Sequence, residues 1–237
     1  MLILAHRGLP GASCPEGSVA AVAAALAVGA DGVEVDLRLT ADGVLAVSHD
    51  PTLGRLTGVF LDVATSTWAE LAATAEQRGI RLARAEQLLA LSAGHRLVLE
   101  VKRPRADRVE ATAAAVAALV GGGTTDVRVS SFDPVLLAAV RARRAGVRTA
   151  LLGDVGDCAV GLVRRALDAG HDEVHPHVLP LLAQPAAVAA AHGCGVAVVP
   201  WTVNRRRDLR RLERLGVDGV ITDVPAAARA VRSPSAA

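Results

Sequence analysis

The chain has 237 residues, 51% hydrophobic and 21% charged, with a formal net charge of +2. That length allows one large domain or two small ones, and that composition supports a sizeable core and excludes extensive disorder. The arginines are dispersed and the only aromatics are Phe60, Trp68, Phe132 and Trp201, which excludes a nucleic-acid footprint.

The first segment, MLILAHRG, is too short and too weakly apolar for a signal peptide, and Leu2–Ala5 within it reads as a strand. A helix follows over Ser18–Val28, with Ser18 as N-cap and Gly29 as stop. Gly32–Leu37 is the second strand. Val44–Ser48 comes after it too soon for a crossover helix, and Asp42-Gly43 between them is a hairpin signal. Residues 33–49 therefore read as a hairpin that returns His49 near the level of Glu34. Residues 49–96 hold a short insertion, in which Phe60 and Trp68 read as packing residues.

From there strands and helices alternate. The strands are Leu97–Val101, Val127–Ser131, Thr149–Leu152, Glu173–His175, Val196–Trp201 and Gly219–Thr222. The helices are Ala106–Val120, Asp133–Ala145, Cys158–Ala169, Pro185–His192, Arg207–Leu215 and Ala226–Val231. Pro134 opens one of them, and Gly121, Gly146, Gly170, Gly193 and Gly216 close others. The arginines between Arg205 and Arg214 lie opposite Leu209, Leu212 and Leu215, as on a solvated helix face. Residues 233–237 read as a flexible tail. Eight βα units in this length predict a closed (β/α)₈ TIM barrel over residues 1–232, with an antiparallel hairpin excursion after strand 2. A doubly wound sheet is the alternative, but HRGLPGASCP is not its glycine-rich turn.

No apolar segment reaches membrane-spanning length, so no stable membrane insertion is expected. Cys14, Cys158 and Cys194 are scattered and odd in number, which predicts a reducing compartment and a cytoplasmic location. Oligomeric state is not specified.

Strand side chains alternate faces. Val33, Val35 and Leu37 share one face, and Glu34 and Asp36 the other; likewise Val98, Glu100 and Lys102 share one face of the next barrel strand. Barrel active sites lie at the C-terminal strand ends, so Glu34, Asp36 and Glu100 converge there. Two arrangements satisfy three close carboxylates. One is a hard divalent cation, Mg²⁺ or Ca²⁺, among oxygen ligands; the other is an ion-pair network with Arg7, Arg38 and Lys102. His6 and His49 reach the same mouth and make a candidate general acid/base pair. Arg7 offers a fork to phosphate. Lys102, the only lysine, suits either a phosphate contact or an aldolase-type Schiff base. Trp201 and Phe132 end strands where they can wall a pocket. His175 and His177 fit a structural role.

AHRG, PE, GADGVEVDLRLTADGVLAVSHD, EVK, WTVN and GVITD.P, in this order from residue 4 to about 225, resemble the glycerophosphodiester phosphodiesterase family. The resemblance implies a TIM barrel that hydrolyses a small-molecule glycerophosphodiester to an alcohol and glycerol 3-phosphate. It implies His6 and His49 as acid and base, Glu34, Asp36 and Glu100 as ligands of Mg²⁺ or Ca²⁺, Arg7 and Lys102 as phosphate contacts, and Trp201 as a wall of the glycerol pocket. Phospholipase D-like barrels acting on lysophospholipids share much of this set. The chain departs from the family at Pro15-Glu16-Gly17-Ser18, where the family reads PENT. It departs again at Arg55-Leu56-Thr57, where the family reads RTT, and in the short insertion.

Overall fold

In a computed structural model of the chain, describing residues 1–11, 14–121 and 125–232, strands and helices alternate as expected. The strands are β1 (Leu2–His6), β2 (Gly32–Leu39), β3 (Leu45–Val47), β4 (Arg96–Val101), β5 (Asp126–Ser131), β6 (Thr149–Gly153), β7 (Glu173–Pro176), β8 (Ala197–Val198) and β9 (Gly219–Thr222). The helices are α1 (Val19–Ala27), α2 (Gly54–Thr57), α3 (Trp68–Glu76), α4 (Ala85–Leu91), α5 (Val109–Leu119), α6 (Pro134–Arg143), α7 (Ala159–Asp168), α8 (Val178–Ala183), α9 (Ala186–His192), α10 (Arg206–Leu215) and α11 (Pro225–Arg229). The tail over residues 233–237 and part of the expected Gly121-Gly122-Gly123 stop lie outside the described residues.

Eight strands pair in parallel in the order β8-β7-β6-β5-β4-β2-β1-β9. Asp218 N donates to Val198 O (3.0 Å) and Ile221 N to Pro200 O (2.9 Å), which joins β9 to the β8 segment and closes the ring. The expected strand Val196–Trp201 shrinks to Ala197–Val198. Pro200 has no N–H to give the ladder, and Trp201 keeps only a single bridge to His177.

The hairpin lies where Asp42-Gly43 puts it. Gly43 takes φ 84°, and β3 returns antiparallel on β2 with Leu37 opposite Val47 and Leu39 opposite Leu45. Ser48 N donates to Asp36 O (3.0 Å), so His49 arrives beside the Glu34–Asp36 segment.

The alternation of β2 holds. Val33, Val35 and Leu37 are fully buried in the core shared with the helices, and Glu34 and Asp36 face the lumen. Leu4, Val98, Val199 and Ile221 form a separate apolar cluster inside the barrel. At the strand starts the lumen is charged. Buried Glu173 accepts from Arg128 Nε, from Arg96 Nη1 (3.2 Å) and from His175 Nε2 (3.1 Å), and Arg128 also holds Asp126. Burial alone pushes the Glu173 carboxyl up, but hydrogen bonds and charge from His175 and Arg128 outweigh it and hold the pKa at about 2.

Glu173→Gln is expected to cost about 3 kcal/mol at pH 7, because it removes the buried carboxylate facing Arg128 and leaves only the half-exposed Asp126 against that charge. The wild-type advantage is complete above the unfolded glutamate pKa of about 4.3 and is lost as pH falls through 2. Urea unfolding at pH 7 and pH 3 therefore gives a stability gap that narrows in acid; a gap independent of pH would count against this account.

Helix ends follow local chemistry. Ser18 caps α1 through Ala21 N (3.1 Å), and Asp133 caps α6 through Val135 N (3.0 Å) with Pro134 in its first turn. In α10, Leu209 and Leu212 are buried and Arg206, Arg207, Arg210 and Arg211 face solvent. The insertion folds as α2, α3 and α4. Trp68 packs there against a cluster of Ala46, Leu53, Val63 and Leu71. Phe60 does not pack: it is 85% exposed, contrary to expectation, because the loop after α2 carries it out past that cluster.

Candidate active site

The mouth is built from the first loop inward. Arg7 takes φ 55°, a left-handed conformation rare outside glycine. Gly8 (φ +80°) is required next, since a Cβ there would lie 2.7 Å from the Ala21 backbone of α1. This turn aims the Arg7 amide at Glu34 Oε2 (3.3 Å) and its guanidinium at Asp36 Oδ2 (Nε, 3.0 Å) and at Glu16 (Nη1, 3.2 Å).

Glu34, Asp36 and Glu100 each offer an oxygen, all within 4.8 Å of one another. Burial, reinforced by Asp36 and Glu100, holds the Glu34 carboxyl well above the usual carboxylate range. Burial and Asp36 raise Glu100. Lys102 Nζ lies 2.7 Å from Asp36 Oδ1 and contacts Glu100. Burial opposes its charge, but the two carboxylates outweigh burial and keep the amine protonated. The aldolase-type alternative needs a neutral amine and is not supported.

The ion-pair alternative is thus partly present, through Arg7 and Lys102. Arg38 makes no direct contact with the trio, because its Nε and Nη2 donate to the His49 carbonyl (3.1 and 2.8 Å), and Asp36 and Glu100 act on its charge only at longer range. The ion pairs also leave the cluster incomplete. Glu34 Oε1 is buried without a hydrogen-bond partner, and Asp36 Oδ1 and Arg7 Nε make close ionic contacts without aligned hydrogen bonds. Three carboxylates against two cations, with an orphaned buried oxygen and only oxygen donors, fit a hard divalent cation.

Both histidines carry a carboxylate at Nδ1. His6 Nδ1 is 2.7 Å from Asp223 Oδ1, and the Asp223 carboxylate accepts from Asn204 Nδ2 (2.5 Å). The hydrogen bond with His6 is the main reason the Asp223 pKa is lowered. His49 Nδ1 is 2.8 Å from Asp50 Oδ1, and Arg55 Nε donates to Asp50 Oδ2 (2.5 Å). Arg55 also binds Glu16 (Nη2 to Oε1, 2.5 Å), so one charged chain runs Arg7–Glu16–Arg55–Asp50–His49. A carboxylate at Nδ1 favours the Nδ1–H tautomer and leaves Nε2 to exchange protons.

Both histidines line a cavity of about 100 Å³ with Arg7, Glu34, Glu100 and Lys102. Phe132, Leu152, Trp201 and Ile221 form its apolar side. The Trp201 indole donates to His175 O (3.0 Å) and meets Phe132 edge-on at 5.7 Å, which fixes the wall. His175 is fully buried on Glu173 and His177 caps α8, as their structural assignment anticipates.

The fold therefore gathers His6, Arg7, Glu34, His49, Glu100, Lys102 and Trp201 around one cavity, with Asp36 in contact with Arg7 and Lys102. Sequence reasoning assigned no role to Asp223, Asp50, Glu16 or Arg55. The adjacency of His49 and Asp50 was a usable signal for one of them. Nothing local links His6 to Asp223 across 217 positions.

Comparisons with known proteins bear on the family and the fold. The profile of the Glycerophosphoryl diester phosphodiesterase family matches residues 6–227. A glycerophosphodiester phosphodiesterase of Caldanaerobacter subterraneus subsp. tengcongensis is 30% identical over 236 residues, 94% of each chain. The crystal structure of a glycerophosphodiester phosphodiesterase from Thermotoga maritima has a TM-score of 0.81 at 26% identity, covering 98% of each chain. A phosphodiesterase from Oleispira antarctica, solved with the product sn-glycerol-3-phosphate, has a TM-score of 0.85 at 22% identity over 98% of this chain and 96% of its own, a likeness of fold.

Proposed function

The chain belongs to the glycerophosphoryl diester phosphodiesterase family, and we propose that it hydrolyses glycerophosphodiesters to an alcohol and glycerol 3-phosphate. The carrying observation is the pair of carboxylate-backed histidines facing one cavity beside an under-neutralised carboxylate trio.

Glu34, Asp36 and Glu100 would hold a divalent cation, Mg²⁺ or Ca²⁺. When bound, the cation supplies Lewis-acid charge to the phosphoryl oxygens. Arg7 and Lys102 add positive charge at the phosphate, and Trp201 with Phe132 shields the glycerol side. One histidine takes the proton of the attacking water, or of a substrate hydroxyl, at Nε2 as the new P–O bond forms; where the substrate hydroxyl attacks, water then opens the cyclic phosphate to glycerol 3-phosphate. The other gives a proton from Nε2 to the leaving oxygen as the old P–O bond breaks, so the alcohol departs neutral. Asp223 and Asp50 hold the imidazoles in the required tautomer.

Residues 1–232 would act as one catalytic domain. A cytoplasmic setting suits a small polar substrate and scattered cysteines, and among the described residues no helix is long and apolar enough to cross a membrane. The direct test is release of glycerol 3-phosphate from glycerophosphocholine, glycerophosphoethanolamine and glycerophosphoinositol with Mg²⁺ or Ca²⁺. Release is expected; its absence with both metals and with Mn²⁺ would sink the proposal.

A further inference from the structure

A second cavity, of about 310 Å³, adjoins the first and shares Lys102 with it. Its lining is strongly one-signed: Arg38, Lys102, Arg103, Arg105 and Arg108 against one carboxylate, Asp62. Lys102 already serves Asp36 and Glu100, whereas the arginines lack close, aligned carboxylate partners. Arg38 donates only to the His49 carbonyl, and Arg108 Nη2 donates to the Thr40 carbonyl while its Nε is buried without a partner. Among the described residues neither guanidinium has a carboxylate in ion-pair contact, although Asp36, Asp50, Glu100 and Asp62 act on Arg38 at longer range. Arg103 and Arg105 are themselves exposed and have only distant partners, the largely buried Asp133 at 3.7 Å and the exposed Asp107 at 3.5 Å.

Position gives the cavity a role. It begins at Lys102, at the phosphate end of the catalytic cavity, and runs past Arg38, which grips the backbone of His49. The smaller cavity, with its aromatic wall, suits glycerol phosphate. The larger one is then left for the alcohol on the other side of the phosphorus. An arginine lining with few counter-charges favours an alcohol that carries its own negative charge, and guanidinium forks match phosphate or carboxylate.

We propose that this cavity is a subsite for the leaving alcohol and selects glycerophosphodiesters whose alcohol bears an anionic group. The inference rests on the phosphodiesterase reading. The substrates that test it are glycerophosphoinositol 4-phosphate, its unphosphorylated counterpart glycerophosphoinositol, and glycerophosphocholine, compared by kcat/KM with metal present. The phosphorylated diester is expected to exceed glycerophosphoinositol by about tenfold, the worth of one charge-assisted hydrogen bond. Arg103 and Arg105 are 69% exposed, so an R103Q/R105Q variant should fold, and it is expected to pull that ratio most of the way to one. A wild-type ratio near one, a preference for the choline diester, or a ratio unmoved in the double variant overturns the subsite alone. No release from any of the three diesters overturns the phosphodiesterase reading and this inference with it.

Discussion

His49→Ala is expected to lower kcat for glycerophosphodiester hydrolysis by about 10²–10⁴-fold, with a much smaller change in KM. Asp50 holds the imidazole at Nδ1, and Arg38 holds the main-chain carbonyl of the same residue. Nε2 is left to move a proton, and no other described side chain of the site stands in that place with that chemistry. His6→Ala should behave alike, because Asp223 holds His6 Nδ1 in the same manner. Asp223→Asn separates positioning from chemistry: it keeps the shape but lets the amide favour the wrong tautomer, so kcat falls by less than in His6→Ala and the melting temperature barely moves. Steady-state kinetics with thermal melts on all three variants check this. A kcat within threefold of wild type for either alanine variant would remove the histidine from the mechanism.

Metal removal should have an effect of similar size. Chelation with EDTA is expected to reduce turnover to background, and Mg²⁺ or Ca²⁺ to restore it. Three carboxylates with oxygens within 4.8 Å repel one another, and Arg7 and Lys102 leave Glu34 Oε1 without a partner. A cation would relieve that cost in the folded state only. At a hundredfold excess over Kd it adds about 2.7 kcal/mol, or a rise in Tm of about 5–10 °C for a domain of this size. Glu34→Gln should abolish the rise, since it removes one ligand charge from the trio. Calorimetric titration and melting curves read this independently of turnover. A Tm indifferent to every divalent ion would leave the cluster as an ion-pair network and no more.

What was readable in the chain is what local periodicity encodes. The period of two in GVEVDL separated the faces of β2, and Asp42-Gly43 announced the hairpin that carries His49 back. Pro134, Ser18 and the stop glycines marked helix ends, because caps and turns act over a few residues. The candidate residues were legible for the same reason: polar side chains at the C-terminal ends of apolar strands stand out against their immediate neighbours.

The rest depends on contacts with no local signature. Closing the ring puts β9 beside β1, and only then does Asp223 meet His6. Packing the insertion over the mouth sets Arg55 between Glu16 and Asp50 and leaves Phe60 in solvent. The lumen gathers Arg96, Arg128, Glu173 and His175 from three strands into one buried network. Pro200 shortens β8 because it has no N–H for the ladder, a backbone effect that the apolar pattern around it does not report. Alternation and turn chemistry are short-range steric preferences, written residue by residue, and they specified the barrel and its rim of carboxylates and histidines. Which acid backs which histidine, and which arginines are left without a counter-charge, follows from distances between segments up to 217 positions apart, and those exist only once the barrel has closed.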